Sequence, residues 1–155
     1  MDNQLEDIEK IEEYLKKLDK TLADERKEWN NVVENLTKKL KCELKQLTDL
    51  EAEILYRRQS VIDLVASYSF RIYKELPKIK QLKRKYFEFF TTKYQIKVNA
   101  TEKTKLIESE MALYDAKIEM IEGQIEFFRE TAKNLQSMTY SCKNKIEICN
   151  ITGLD

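Results

Sequence analysis

Along the last third of the chain, apolar or small side chains recur at steps of three and four: Ile107, Met111, Tyr114, Ile118, Ile121, Ile125, Phe128, Ala132, Leu135, Thr139, Cys142, Ile146 and Cys149. Such steps put every one of them on a single stripe of an α-helix. Periodicity sustained over this length is that of a helix wrapped against other helices. The stripe has to be covered, either by the rest of its own chain or by copies of it. Its helix is expected to start at a threonine cap, Thr101 or Thr104, with Thr101 favoured because Asn99 to Thr101 is polar and the apolar pattern begins soon after.

Upstream, Leu5, Ile8, Ile11, Leu15, Leu18 and Leu22 predict a first helix over about 3–22. Trp29, Val32, Leu36, Leu40, Leu44, Leu47, Leu50 and Ile54 mark a seam without a break, predicting a second helix over about 24–75, with Asn30-Asn31 its weakest point. Between Val61 and Tyr73 the pattern grows richer, which predicts burial on more than one side. Pro77 disfavours helix at Leu76 and suits the first turn of a new one. That new helix holds Ile79, Leu82, Tyr86 and Phe89/Phe90 and ends near Thr91-Thr92, followed by an extended connector from Tyr94 to Asn99. The fold expected is all-α: long helices in an elongated hairpin or bundle with coiled-coil-like packing. Residues 1–76 form its amino-terminal helical region and residues 77–155 its basic helix, connector and long last helix, all in one structural unit.

Composition agrees with that expectation. The 155 residues include only two glycines and one proline, too few turn residues for sheets. At 42% hydrophobic and 36% charged, the chain is too apolar for a disordered polyampholyte and too charged for a membrane protein. The start, Met1-Asp2-Asn3-Gln4, reads as no signal peptide, so the sequons at Asn35, Asn99 and Asn150 read as chance. Three cysteines are present, and Cys142 and Cys149 lie two turns apart on one helix, too far to bridge. They read as small buried hydrophobes of a reducing cytoplasm.

Candidate chemistry is sparse. There is no histidine, which removes the commonest general base and metal ligand. Glycine-rich phosphate loops, nucleophile elbows and metal-ligand clusters are missing from the sequence. The acids Glu108, Glu110, Asp115, Glu119, Glu122, Glu126 and Glu130 lie off the apolar stripe, where they serve solubility and salt pairs. The expectation is therefore a protein that is not an enzyme and needs no cofactor or metal.

Charge adds one positive feature. Formal net charge is zero, yet Lys78, Lys80, Lys83, Arg84, Lys85, Lys93 and Lys97 crowd one stretch against Glu88 as its only acid. A neutral chain with one basic segment presents a local positive field without general stickiness. Tyr86, Phe87, Phe89, Phe90 and Tyr94 interleave with these cations. Lysine for phosphate and flat rings for unstacked bases is the combination that holds single-stranded nucleic acid, with Tyr86, Phe87 and Tyr94 the candidate stacking residues. The plainer reading is a solvated lysine-rich helix whose aromatics are core, and composition alone favours it. An anionic membrane surface fits less well, because the cations do not oppose a clean apolar wedge.

A resemblance shifts that balance. Lys83-Arg84-Lys85-Tyr86-Phe87-Glu88-Phe89-Phe90-Thr91-Thr92-Lys93 is similar to the basic, aromatic-rich motif of UvsY-type recombination mediators of T-even-like phages. Lys117-Ile118, Glu122, Gln124-Ile125-Glu126-Phe127, Tyr140-Ser141-Cys142-Lys143-Asn144 and Ile146-Glu147 resemble that family's tail. The match spans Lys78 to Gly153, about half the chain. Thr92 and Thr139 stand where the family has glycine, Ile148 stands where it has tryptophan, and the first quarter of the chain is an extension. The resemblance implies a protein of phage recombination in the cytoplasm of the infected bacterial host. It would bind single-stranded DNA and help load a RecA-like recombinase onto DNA covered by single-strand-binding protein. It implies DNA contacts at Lys83, Arg84, Lys85 and Lys93, within the wider set from Lys78 to Lys97. It also implies a ring-like homo-oligomer, hexameric or heptameric, assembled through the last helix by Ile118, Ile121, Ile125, Phe128, Leu135, Cys142 and Ile146. The alternative is a coiled-coil scaffold or adaptor without nucleic-acid binding.

Overall fold

The structure is a computed structural model that describes residues 2–41, 43–93 and 99–153, with side chains described from residue 8 onward except at residue 44. Leu5, Cys42, Tyr94 and Lys97, and with them most of the expected connector, lie outside the described side chains. Three α-helices follow one another, α1 (Asp2–Lys39), α2 (Leu44–Thr92) and α3 (Ala100–Thr152), and no strand occurs among the described residues. The all-α expectation holds, with fewer and longer helices than the spacing predicts.

Three boundaries move, each for a local reason. The helix expected to end near Leu22 continues to Lys39, since Ala23-Asp24-Glu25-Arg26 contains nothing that stops it. The chain instead breaks at Leu40–Glu43, inside the seam expected to be unbroken. The amide of Leu40 donates to the carbonyls of Leu36 (3.1 Å) and Thr37 (3.3 Å), and that of Lys41 to Lys38 (3.4 Å), which tightens the last turn. Lys38 and Lys39 complement the carboxyl-terminal dipole, and Lys145 Nζ donates to the Leu40 carbonyl.

Pro77 does not end a helix. α2 runs through it with no cis peptide bond, and the neighbouring Tyr73, whose carbonyl loses its amide donor, is exposed to water. At the start of α3 the cap is Asn99, not a threonine. Asn99 Oδ1 accepts from the Glu102 amide (2.9 Å) while Glu102 Oε2 accepts from the Asn99 amide (3.0 Å), a reciprocal capping box. Gly153 closes the far end at φ 62°, its amide donating to the Cys149 carbonyl at 2.9 Å.

The helices build two compact units, one from Met1–Asp19 and Tyr68–Glu122, the other from Lys20–Ser67 and Gly123–Asp155. A boundary at Pro77 thus falls inside α2, and both units draw on residues from either side of it. In the first unit, Leu15, Leu18, Ile79, Phe90, Met111 and Ile121 are buried. There α2 runs antiparallel to α3, as the pairs Glu75–Lys117 and Thr91–Lys103 show, and Arg71 of α2 meets Tyr14 of α1. In the second, Leu22, Leu36, Leu50, Ile54, Phe128 and Leu135 form the centre. Trp29 meets Phe128 edge-on at 6.3 Å.

The organising stripe is covered by the chain itself. Met111, Ile121, Ile125, Phe128, Leu135, Thr139 and Cys142 are buried, and Ile107, Tyr114, Ile118, Ala132, Ile146 and Cys149 are half-buried. Fully burying a side chain such as Leu135 contributes about 1.5–3 kcal/mol. Of the richer pattern between Val61 and Tyr73, Val61 is buried and Leu64, Val65, Tyr68 and Ile72 are half-buried, all on one face of α2, while Ile62, Phe70 and Tyr73 on the other sides are exposed.

Candidate nucleic-acid interface

The basic segment lies on the last part of α2, in the first unit. Ile79, Leu82, Tyr86 and Phe90 follow helical spacing and turn inward, buried or half-buried. At about 100° per residue, the other positions spread over the outer half of the helix. Lys80, Arg84 and Phe87 form one outward row, and Lys74, Lys78, Gln81 and Lys85 a second; all seven are exposed. From Tyr68 to Lys93 there are eight cations (Arg71, Lys74, Lys78, Lys80, Lys83, Arg84, Lys85, Lys93) and two carboxylates, Glu75 and Glu88. The excess of six positive charges is offset elsewhere in a chain of zero net charge.

Several cations have carboxylate neighbours. Lys83 Nζ sits 3.2 Å from Asp115 of α3, both side chains well exposed. Arg84 Nε lies 3.0 Å from Glu88, and Lys78 Nζ lies 3.5 Å from Glu75. Exposed pairs of this kind contribute about 0–1 kcal/mol, so they hold these side chains in place without withholding them from a phosphate. Glu75 belongs chiefly to Lys117, whose Nζ donates to it at 3.0 Å. That hydrogen bond holds the Glu75 carboxyl below its ordinary range. Lys80 and Lys85 take part in no ion pair among the described residues.

The three aromatics expected to stack on bases separate. Tyr86 is half-buried and stacks on Phe90 with centroids 6.4 Å apart. Burial pushes its phenol up from the ordinary value, helped by the nearby Glu110 carboxylate, so Tyr86 is core rather than platform. Phe87 is 53% exposed, with Lys103 Nζ 5.1 Å above its ring. Tyr94, like Lys97, lies outside the described residues. Exposed rings also occur where none was singled out from the sequence. Phe70 and Tyr73 are 56% and 71% exposed, their planes within 14° of parallel at 6.5 Å, with Lys74 Nζ 4.5 Å over Phe70. Spacing could have found them: they sit opposite Ile72 and Ile79 on the helical wheel.

The residues expected to join subunits lie elsewhere than on a free surface. Ile121, Ile125, Phe128, Leu135 and Cys142 are buried in this chain, and Ile118 and Ile146 are half-buried. The chain's own helices cover these side chains. On α3 the exposed apolar residues are Tyr140 (56%), Ile148 (58%) and Ile151 (80%). Offsets of eight and eleven residues place all three on one face.

Among the described residues, no group of three or more His, Cys, Asp and Glu is placed to hold a metal ion, and no helix is long and apolar enough to cross a membrane. Comparison of the chain with protein-family models, curated proteins and solved structures finds no match.

Proposed function

We propose that this chain is a non-enzymatic accessory protein of DNA recombination that binds single-stranded DNA through the outer half of α2. The observation that carries the reading is the concentration of eight cations against two carboxylates between Tyr68 and Lys93, with open aromatic rings among them, in a chain without net charge. Lys80, Arg84, Lys78 and Lys85 capture phosphates along the two outward rows, Lys83 beside Asp115 flanks them, and Lys93 extends the track. The similarity to UvsY-type mediators supports the biological setting: loading a RecA-like recombinase onto DNA covered by single-strand-binding protein. Self-association belongs to the same reading, since repeating a modest site around an assembly multiplies its effective affinity. The exposed row Tyr140, Ile148 and Ile151 on α3 is the surface we assign to contact between copies.

Each phosphate neutralised on a single strand contributes about −0.7 to the slope of log affinity against log salt. The triple variant Lys83→Ala, Arg84→Ala, Lys85→Ala is expected to flatten that slope by about two units, read by titrating a labelled oligonucleotide at several salt concentrations. An unchanged slope would remove these three residues from the site.

A further inference from the structure

Phe70 and Tyr73 are costly residues to leave in water, and their environment indicates what they are for. The segment of α2 that carries them buries Ile79 and half-buries Tyr68, Ile72 and Leu82, and the two rings point to the opposite side. They lie between the two outward rows, one row continuing to Lys80 and Arg84, the other starting at Lys74. From Tyr73 to Lys80 the helix rises about 10 Å, within reach of phosphates on neighbouring nucleotides. The rings are near-parallel at 14°, and each is more than half exposed, Tyr73 the more so at 71%. Lys74 Nζ lies 4.5 Å over the Phe70 ring, a mobile cation against its face.

We propose that Phe70 and Tyr73 are the base-stacking platform of the single-stranded DNA site, holding unstacked bases while Lys74, Lys80 and Arg84 hold the phosphates on either side. The inference rests on the DNA-binding reading and moves its stacking element about four to five turns towards the start of α2 from Tyr86 and Phe87. Base–aromatic stacking is tolerant of sequence, because every base has a π-face, so the platform suits a protein that coats DNA of any composition. A second copy of the chain is the competing occupant of an exposed apolar pair. Charge disfavours it: a self-complementary contact here would press two segments with an excess of six positive charges against each other.

The test uses the full chain, an oligo-dT strand and an abasic strand of equal length that keeps the phosphates and lacks the bases. The double variant Phe70→Leu, Tyr73→Leu retains apolar bulk at exposed positions and removes only the flat rings. Wild type is expected to prefer oligo-dT over the abasic strand. The variant should lose about tenfold in affinity for oligo-dT, bind the abasic strand as wild type does, and keep the salt slope. Equal binding of oligo-dT by variant and wild type would overturn the platform while leaving the phosphate site intact. Equal loss on both strands, or a fall in sedimenting mass with the preference for oligo-dT unchanged, would also overturn it, assigning the rings to folding or to subunit contact. Wild type that binds neither strand in a salt-sensitive way would sink the DNA reading, and the platform with it.

Discussion

Gln124 has no exposed surface, although its side chain is polar and its position lies beside the apolar stripe. Nε2 donates to Glu25 Oε2 at 2.8 Å, while Oε1 is buried without a partner among the described residues. Thr131 and Thr139, also buried, avoid that problem: their hydroxyls donate to the carbonyls of Phe127 (2.9 Å) and Leu135 (3.1 Å) on their own helix. A glutamine has no such short return path. A buried unsatisfied acceptor costs about 1–3 kcal/mol, and the half-exposed Glu25 carboxylate can turn to water if its donor is removed. Gln124→Met, which keeps length and loses the polarity, is therefore expected to raise stability by about 1 kcal/mol. The measurement is the urea midpoint at unchanged slope. A lower midpoint would mean that the bond to Glu25 outweighs the orphaned oxygen.

At the scale of the helix, the informative residue is Pro77. From sequence a proline between Leu76 and Lys78 ends one element and starts another, yet α2 passes through it. The local cost is one missing amide donor and a ring crowding the turn before, about 3 kcal/mol in a helix interior. Against it stands the burial of Ile79 and Phe90 and the partial burial of Leu82 and Tyr86, all of which need the helix to keep its phase. Pro77→Ala should therefore stabilise the chain by about 1–3 kcal/mol with no change in helix content, read by circular dichroism during thermal unfolding. A gain in helical signal would instead mean that α2 is interrupted at Pro77 in solution.

Period three-and-four identified Ile121, Ile125, Phe128, Leu135 and Cys142 as an inward stripe because burial on a helix is periodic. It did not reveal the reversal at Leu40–Glu43, because the seam keeps its phase across the turn and no glycine or proline marks it. It does separate Tyr86 from Tyr73: Tyr86 follows Ile79 and Leu82 on the inward row, whereas Tyr73 falls opposite Ile72 and Ile79. Composition alone does not, since both are aromatic positions close to lysines.

The whole molecule poses the question of assembly. Sequence periodicity left two coverings open for the last helix, and the fold uses the chain's own α1 and α2. Removing these side chains from water therefore stabilises the single chain. What remains apolar and exposed near the end of α3 is Tyr140, Ile148 and Ile151, on one face. A contact there and a contact through the stripe respond oppositely to charge. An aspartate at Ile125, which is 5% exposed, is a buried and unpaired charge, expected to cost several kcal/mol and to unfold the unit that contains it. Aspartates at Ile148 and Ile151 meet water in the single chain and stay within about 0.5 kcal/mol of wild-type stability, yet they bring like charges together wherever copies meet. Under the proposed self-association, Ile148→Asp with Ile151→Asp is expected to lower the sedimenting mass at unchanged helical signal, and to weaken oligonucleotide binding as the repeated sites come apart. Ile125→Asp is expected to lose helical signal and cooperative unfolding together. If Ile125→Asp stays folded and dissociates while the outer pair keeps its mass, the stripe is the contact between copies and the outer face is not.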